Sequence, residues 1–337
     1  MSEYEIVTWT GAELDTWEKF LHGPTNLTDI FGSREWGMTL EEASGARFRV
    51  HAVLEKDRVV GGIAGHQRRF WGLKVFMPAP LAPYNGWQQI GMEGFNASKQ
   101  ERFIGAAQKL LAGFLRHEYH LVSLLNNPAI IDLRGFLWSG FWLEEHYTHK
   151  VDLSSRDALW QGLNADVRTK VRKGERLGWE IRVNDNLEPL LTLLEETSQR
   201  QRFSFAYDRA TLRTLCRKLL DRGAARIFAV QAQGEVVAAV AVLQDRYGVL
   251  HEWLAGTHIG EDTAGAFQYL FWRILDFYLE SGEGWRHLDM DGAGIQGISY
   301  MKSHFGGRLL PVTHVISPGL VMLQVARRAI RQRLRGG

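Results

Sequence analysis

Apolar and polar positions alternate in two stretches of the chain that lie roughly half its length apart. In the first half, residues 47–55 and 59–67 show this alternation, with three turn-like polar residues between them. A period of two around a short polar break predicts a β-hairpin. Further along, residues 99–117 carry apolar side chains every three or four positions, which predicts an amphipathic helix with Ser98 as its N-cap.

Each half of the chain follows the same order of predicted elements. In the first half these are strands at 47–55, 59–67 and 73–77, a helix at 99–117, a strand at 121–125, a short helix at 131–138 and a strand at 141–151. In the second half they are strands at 225–232, 235–243 and 249–255, a helix at 263–280, a strand at 286–290, a short helix at 299–304 and a strand at 308–316. The two hairpins share residue types at matching positions, namely Phe48, Val50 and Ala52 against Phe228, Val230 and Ala232. We therefore predict an α/β fold with mixed α+β sheets, built from two tandem domains that are related by an internal repeat.

The repeat sets the expected domain boundaries. We place an N-terminal domain at 1–153, a C-terminal domain at 154–318 and a basic helix or tail at 319–337. From Gly292 to the end there are seven Lys or Arg residues and no Asp or Glu. Such a segment lies on an anionic membrane surface, touches the phosphates of tRNA, or packs on its own domain with its arginines in water.

Composition narrows the class of protein. Of the 337 residues, 45% are hydrophobic and 23% are charged, which is typical of a soluble globular chain. Lys and Arg number 40 against 38 Asp and Glu, a balance that argues against DNA as a partner. The single Cys216 allows neither an intrachain disulfide nor a Cys-rich zinc module. Because the chain shows no signal-peptide pattern and no apolar run longer than eight residues, we expect a cytoplasmic location.

Two short motifs are interpreted as incidental. Gly292, Gly294 and Gly297 spell GxGxxG after a predicted strand, but a dinucleotide-binding turn needs an acidic residue about 20 positions later, and none follows. His146 and His149 lie three positions apart on a predicted strand, so their rings point to opposite faces and cannot bind one ion together. We therefore expect neither a dinucleotide nor a metal.

Candidate catalytic groups lie at and after the end of the strand predicted at 286–290. Asp289 and Asp291 stand at its end, where an α/β sheet usually places its site. Lys302 lies on a short predicted helix beside glycines, a position suited to stabilise a developing oxyanion. A solvated surface lysine, with aspartates that only hold a loop, is the alternative interpretation. Trp253 and Tyr207 either line a substrate groove or pack in the core.

Five segments of the second half, taken in order, make the chain resemble a known family. They are 163–178, 196–200, the hairpin turn at 233–234, 288–292 and 300–306. In the first half, 31–36 is similar to an f-x-S-x-x-W motif and 78–86 to a proline-rich loop of that family. The chain thus resembles the Fem family of peptidoglycan bridge-forming aminoacyltransferases and the wider FemAB-like proteins with a GNAT-type acetyltransferase fold. Two GNAT-like domains in tandem are the architecture that this resemblance implies.

The resemblance also implies an activity. Fem enzymes transfer an amino acid from aminoacyl-tRNA to an amine of a cell-wall precursor peptide, without a cofactor, and a membrane-linked precursor would place the enzyme at the inner face of the membrane. Lys302 maps near the reaction channel, where it would stabilise the oxyanion, while Asp289 or Asp291 would accept the amine proton. The residues expected to contact substrate are Arg34, Trp36, Arg200, Tyr207, Trp253, Tyr300 and Phe305.

The chain departs from the family at one expected substrate-binding position, and other activities stay open. Leu40 stands where many Fem enzymes have a lysine that holds precursor phosphates, and Arg34 is the nearest cation. An acyl-CoA-dependent GNAT N-acyltransferase is the alternative, although Glu261 and Asp262 at the predicted helix start would repel a pyrophosphate. A catalytically silent binding protein with the GNAT fold is the third possibility.

Overall fold

The computed structural model describes residues 4–183, 186–245 and 248–323. They form two units, each with its own packed core. One unit takes the chain up to His146 and again from Pro311 onward, and the other is Tyr147–Leu310. The predicted mixed α/β fold is confirmed, because helices cover a sheet with both parallel and antiparallel strands in each unit.

The first unit is built around helix α3. Its elements are β1 (Tyr4–Trp9), α1 (Leu14–Leu21), α2 (Arg34–Ser44), β2 (Arg47–Glu55), β3 (Arg58–Phe70), β4 (Leu73–Met77), β5 (Trp87–Gln89), α3 (Ala97–Glu118), β6 (Leu121–Leu125), α4 (Arg134–Trp138) and the start of β7 (Trp142–Asp152). Strands β1 to β4 pair antiparallel in sequence order, β4 pairs parallel with β6, and β5 lies against β3. Leu111 and Leu115 of α3 are fully buried with Val122 and Phe136, so this helix closes the core on one sheet face.

The second unit repeats this plan around helix α9. It contains the end of β7, α5 (Arg156–Gly162), α6 (Ala165–Arg176), β8 (Glu180–Val183), α7 (Glu188–Gln201), α8 (Arg209–Asp221), β9 (Ala225–Ala232), β10 (Glu235–Asp245), β11 (Val249–Thr257), α9 (Ala266–Glu280), β12 (His287–Asp289), α10 (Gln296–Ser303) and the start of β13 (Arg308–Ile316). The strand order is β7-β12-β11-β10-β9-β8, and only β11 and β12 pair parallel. Leu270 and Ile274 of α9 pack with Val240 and Val242 of β10.

The closing strands of the two repeats are exchanged. Strand β7 ends the first repeat, yet its residues 150–152 pair with β12. Strand β13 ends the second repeat, yet its residues 314–316 pair with β6. The two compact units divide at 146/147 and 310/311, and the domain boundaries at 153/154 and 318/319 stay predictions. Periodicity along the chain carries no information about which copy a closing strand joins.

Some helix ends differ from the sequence expectation. Helix α3 is capped by Asn96 rather than Ser98, because the Asn96 side chain accepts from the Lys99 N–H at 2.9 Å. Helix α9 starts at Ala266, three residues later than expected, after Gly265 with φ 98°. Most of the expected basic tail, 324–337, lies outside the described residues. Among the residues that are described, no helix has the length and apolarity that a bilayer span requires.

Candidate functional site

The parallel strands β11 and β12 pair over only three residues, from Val249 to His251 on the longer strand. Strand β11 then continues to Thr257, whereas β12 ends at Asp289. The carboxyl ends of parallel strands are the usual place for a site in an α/β sheet. Polar side chains gather at this strand end: His251, Glu252, Asp289 and Lys302 are buried, and Asp291 is half-buried.

Lys302 is a buried ammonium that is held by backbone carbonyls. Only 6% of the residue is exposed, on a short helix of eight residues. Its Nζ donates to the carbonyls of Met290, Asp291 and Gly292, the last at 3.2 Å. The alternative of a solvated surface lysine does not describe this side chain, because its charge sits inside the turn that follows β12.

Glu252 lies beside this ammonium. Its Oε2 is 3.9 Å from Lys302 Nζ and has no hydrogen-bond partner among the described residues. Burial raises the pKa of Glu252 to about 7, and the charge of Lys302 opposes the rise. A carboxyl group with a pKa near neutrality exchanges a proton readily under physiological conditions, which is the property of a general acid or base.

A second charged pair lies on the other side of the strand end. His251 Nδ1 is 3.2 Å from Asp291 Oδ1, and its Nε2 is 3.8 Å from Asp245 Oδ2. Burial alone would lower the pKa of His251, but the carboxylates of Asp291, Asp245 and Asp289 together outweigh burial and raise the pKa to about 10. Burial raises the pKa of Asp291 to about 6, opposed by His251. At neutral pH the pair is therefore an imidazolium and a carboxylate.

Asp289 fixes the turn that carries these groups. Its Oδ1 accepts from the Thr148 hydroxyl and from the Asp291 N–H, the latter at 3.1 Å. Donor atoms of His251, Asp289 and Asp291 lie within 4.8 Å of one another, which is close enough to consider a metal ion. Each of the three is instead engaged with a protein partner, so we interpret the group as an ion-pair network.

The other expected site residues are spread over both units. In the second unit, Arg200 donates to the Thr257 carbonyl at 3.1 Å and so ties α7 to the far end of β11. Tyr300 is 69% exposed on α10, whereas Phe305 is fully buried against Phe271, with ring centroids 4.4 Å apart. Tyr207 is half-buried and Trp253 is buried. Phe305 is thus a packing residue, and Trp253 is a buried side chain of β11.

Arg34 and Trp36 belong to the first unit. Arg34 forms an ion pair with Asp15 at the start of α2. Trp36 is 1% exposed and packs edge-to-face on Phe31, at 5.0 Å between ring centroids. Trp36 is therefore a core side chain whose indole faces neither solvent nor an open groove.

Sequence reasoning missed His251 and Glu252. Both stand in an otherwise apolar predicted strand, and adjacent ionisable residues in such a strand were the available signal. Their importance depends on burial and on partners from distant parts of the chain. Only Lys302, Asp289 and Asp291 of the expected residues come together with them.

The region before α9 also differs from expectation. Glu261 and Asp262 lie in an exposed turn, and the first turn of the helix itself contains no acidic residue. Lys173 Nζ donates to the Ala264 carbonyl at 3.2 Å, and the Lys170 side chain lies against Gly265. The two acidic residues therefore lie outside the helix and two lysines lie near its start, so the repulsion of a pyrophosphate is weaker than the sequence suggested.

Comparisons with known proteins agree with this fold. Residues 162–297 match a family model described as an acetyltransferase (GNAT) domain. The structure is similar to that of FemX, with a TM-score of 0.67 and 11% identity over 95% of this chain and 99% of that chain. It is similar to a tandem GNAT protein from the clavulanic acid biosynthesis pathway, with a TM-score of 0.55 and 12% identity over 94% and 99% of the two chains.

A third similar structure is L-PGS from Bacillus licheniformis, with a TM-score of 0.52 and 15% identity over 86% of this chain and 91% of that chain. A search of curated proteins found no match. At these identities the similarity establishes the fold. The predicted tandem GNAT architecture and the resemblance of the fold to that of a Fem protein are confirmed.

Proposed function

We propose that this chain is an amide-forming aminoacyltransferase, which transfers an amino acid from aminoacyl-tRNA to an amine of a cell-wall precursor peptide. The observation that carries the proposal is the buried pair of Lys302 and Glu252 beside the end of the β11–β12 pairing. The fold shared with FemX over nearly the whole chain supports the donor class. The reaction needs no cofactor.

Lys302 is assigned to stabilise the oxyanion. When the amine attacks the ester carbonyl, the carbonyl oxygen becomes negative. The longest Lys302 contact, to the Gly292 carbonyl at 3.2 Å, is the one an oxyanion would replace. A cation about 4 Å from such a charge contributes about 4 kcal/mol at an effective dielectric constant of about 20.

Glu252 is assigned to accept the amine proton. The new C–N bond forms as the ester C–O bond breaks. The amine proton passes to the Glu252 carboxylate, which then donates it to the departing ribose oxygen of the tRNA, so that Glu252 ends as the carboxylate. Asp289, the earlier candidate, is engaged with Thr148 and with the turn. Asp291 remains the second candidate for this proton, although it is paired with His251.

An acyl-CoA-dependent N-acyltransferase is the second candidate function. The match of residues 162–297 to a GNAT acetyltransferase domain and the two lysines beside the start of α9 favour it. The same groups at β11 and β12 would serve the chemistry, since an amine attacks a thioester instead of an ester.

A donor panel separates these functions. The purified chain is incubated with a cell-wall precursor peptide and either aminoacyl-tRNA or acyl-CoA, and the amide product is measured by mass spectrometry. We expect product with aminoacyl-tRNA only. Product with acyl-CoA only would favour the acyl-CoA-dependent N-acyltransferase instead. Absence of product with both donors would indicate a binding protein.

We further propose contact with the anionic inner face of the membrane. The supporting feature is the turn between β3 and β4, where Phe70 is 50% exposed and Trp71 fully exposed. Beside it lies a recess of about 420 Å³ lined by Arg47, Arg68 and Arg69, none of which forms an ion pair within the described part of the chain. Aromatic tips next to arginines suit a bilayer surface with anionic headgroups.

A further inference from the structure

Three side chains with metal-ligating atoms meet in the first unit, outside the cluster of Lys302. One carboxylate oxygen of Glu144 and one ring nitrogen each from His146 and His314 lie within 4.8 Å of one another. Glu144 and His146 are two positions apart on β7 and so share one face of the strand. His314 comes from β13, the neighbouring strand of the sheet. In the sequence, His146 was paired only with His149 of the same strand, whereas the fold brings in His314 from a second strand.

One nitrogen of the His314 ring forms a hydrogen bond, and the other is left for a ligand. Its Nε2 forms a hydrogen bond with the hydroxyl of the buried Ser123 at 2.8 Å. Its Nδ1 is buried and has no hydrogen-bond partner among the residues that the structure describes. A bond at one ring nitrogen fixes the tautomer and orients the other nitrogen for a metal. An ion would satisfy a buried nitrogen that is otherwise left without a partner.

We propose that Glu144, His146 and His314 bind a divalent transition-metal ion, with zinc as the best fit. Two imidazoles and a carboxylate form a three-residue zinc set that leaves a fourth position for water. Ligand atoms around a tetrahedral ion with bonds of about 2.0–2.1 Å lie about 3.4 Å apart, so donors within 4.8 Å of one another need to approach by at most about 1.4 Å. His146 is exposed, and side-chain rotation there supplies that movement.

The nitrogen donors also set the selectivity of the site. Magnesium and calcium prefer an all-oxygen environment, whereas imidazole suits zinc, copper and nickel. The ring centroids of His146 and His314 lie 5.2 Å apart in an edge-to-face arrangement, so both rings already border the same small volume. The proposal concerns the first unit alone and is independent of the transferase function.

Isothermal titration of the untagged, EDTA-treated chain with zinc chloride tests the site. We expect one zinc ion per chain and no heat of binding with magnesium chloride. His146→Ala and Glu144→Gln, which alter an exposed and a half-buried side chain, should each weaken zinc binding at least about tenfold. Ser123→Ala should weaken it by about tenfold through the orientation of His314.

His117→Ala is the matched control, because His117 is an exposed histidine on α3. This variant should bind zinc like the wild type. Zinc binding by the wild type that is no tighter than binding by His146→Ala would overturn the proposal. An equal loss in His117→Ala would also overturn it, since binding would then be a property of surface histidines in general.

Discussion

Replacement of Glu252 by glutamine is expected to slow amide formation and, at the same time, to stabilise the folded chain at alkaline pH. Glutamine keeps the shape of the side chain, so the packing around this 7% exposed residue is preserved. It removes the carboxyl group that we assign as proton acceptor. Loss of a general base typically costs about 10²–10⁴ in rate.

The stability effect follows from the pKa of Glu252. Burial raises this pKa from 4.5 to about 7, so the folded chain binds the proton more tightly than the unfolded chain does. Stability is therefore fully present below pH 4.5 and declines as the pH rises to 7. At about 1.4 kcal/mol for each tenfold change in proton affinity, the loss is roughly 3 kcal/mol. Glutamine cannot ionise, so the variant escapes this loss.

Urea unfolding between pH 5 and pH 8 measures the stability effect without any substrate. The wild type should lose roughly 2–3 kcal/mol more than Glu252→Gln over this range, because part of the loss already occurs below pH 5. Glu235→Gln is the control, because it makes the same chemical change at an exposed position at the start of β10. It should leave the pH dependence of stability unchanged.

The two arms of this experiment refute different statements. Parallel pH profiles for the wild type and Glu252→Gln would show that Glu252 is not a neutral, buried acid at low pH, and the electrostatic argument would fail. A normal transfer rate in Glu252→Gln with the expected stability profile would leave the burial argument intact. It would remove Glu252 from the mechanism and return the role of base to Asp291.

Three further changes test other parts of the structure. Lys302→Ala should lower the transfer rate at least about tenfold, or about 1.4 kcal/mol. Lys19→Ala, which changes an exposed lysine, should leave the rate unchanged. Equal rates in the two variants would exclude the oxyanion role of Lys302. Phe305→Ala should destabilise the second unit by about 3–5 kcal/mol in urea unfolding. Phe203→Ala, at a 41% exposed position, should change stability little. A loss of stability below about 1 kcal/mol in Phe305→Ala would contradict the packing of Phe305 in the core. Exchange of Phe70 and Trp71 for serine should reduce binding to phosphatidylglycerol vesicles at least about tenfold, and Trp142→Ser, at a 58% exposed tryptophan, should not. Loss of tRNA binding instead of vesicle binding would show that the turn is an RNA surface.

Local pattern explains most of the elements that were predicted. The hairpins β2–β3 and β9–β10 and helix α3 follow from alternation and from helical spacing, which are properties of neighbouring residues. Helix ends were less accurate, because Asn96 and Ser98 are both suitable caps and only the surrounding structure selects between them.

Only part of the candidate site could be predicted from the sequence. Lys302, Asp289 and Asp291 were proposed from their position after a strand and from the resemblance to Fem proteins. Glu252 and His251 owe their properties to burial and to charges contributed by α10 and by the turn after β12. Those contacts join residues far apart in sequence, so no local pattern reports them. Trp36 shows the converse, since its motif suggested binding while its environment makes it a core residue.

By itself, the sequence determined the repeat, the α/β class and the position of Lys302 next to a strand end. Periodicity and the order of elements depend only on residues that are near one another in the sequence. The tertiary structure alone decided which repeat each closing strand completes, since β7 pairs with β12 and β13 pairs with β6. The same exchange brings His314 next to Glu144 and His146. Several strand edges have similar residue patterns, so the pairing of the closing strands is determined by the tertiary fold.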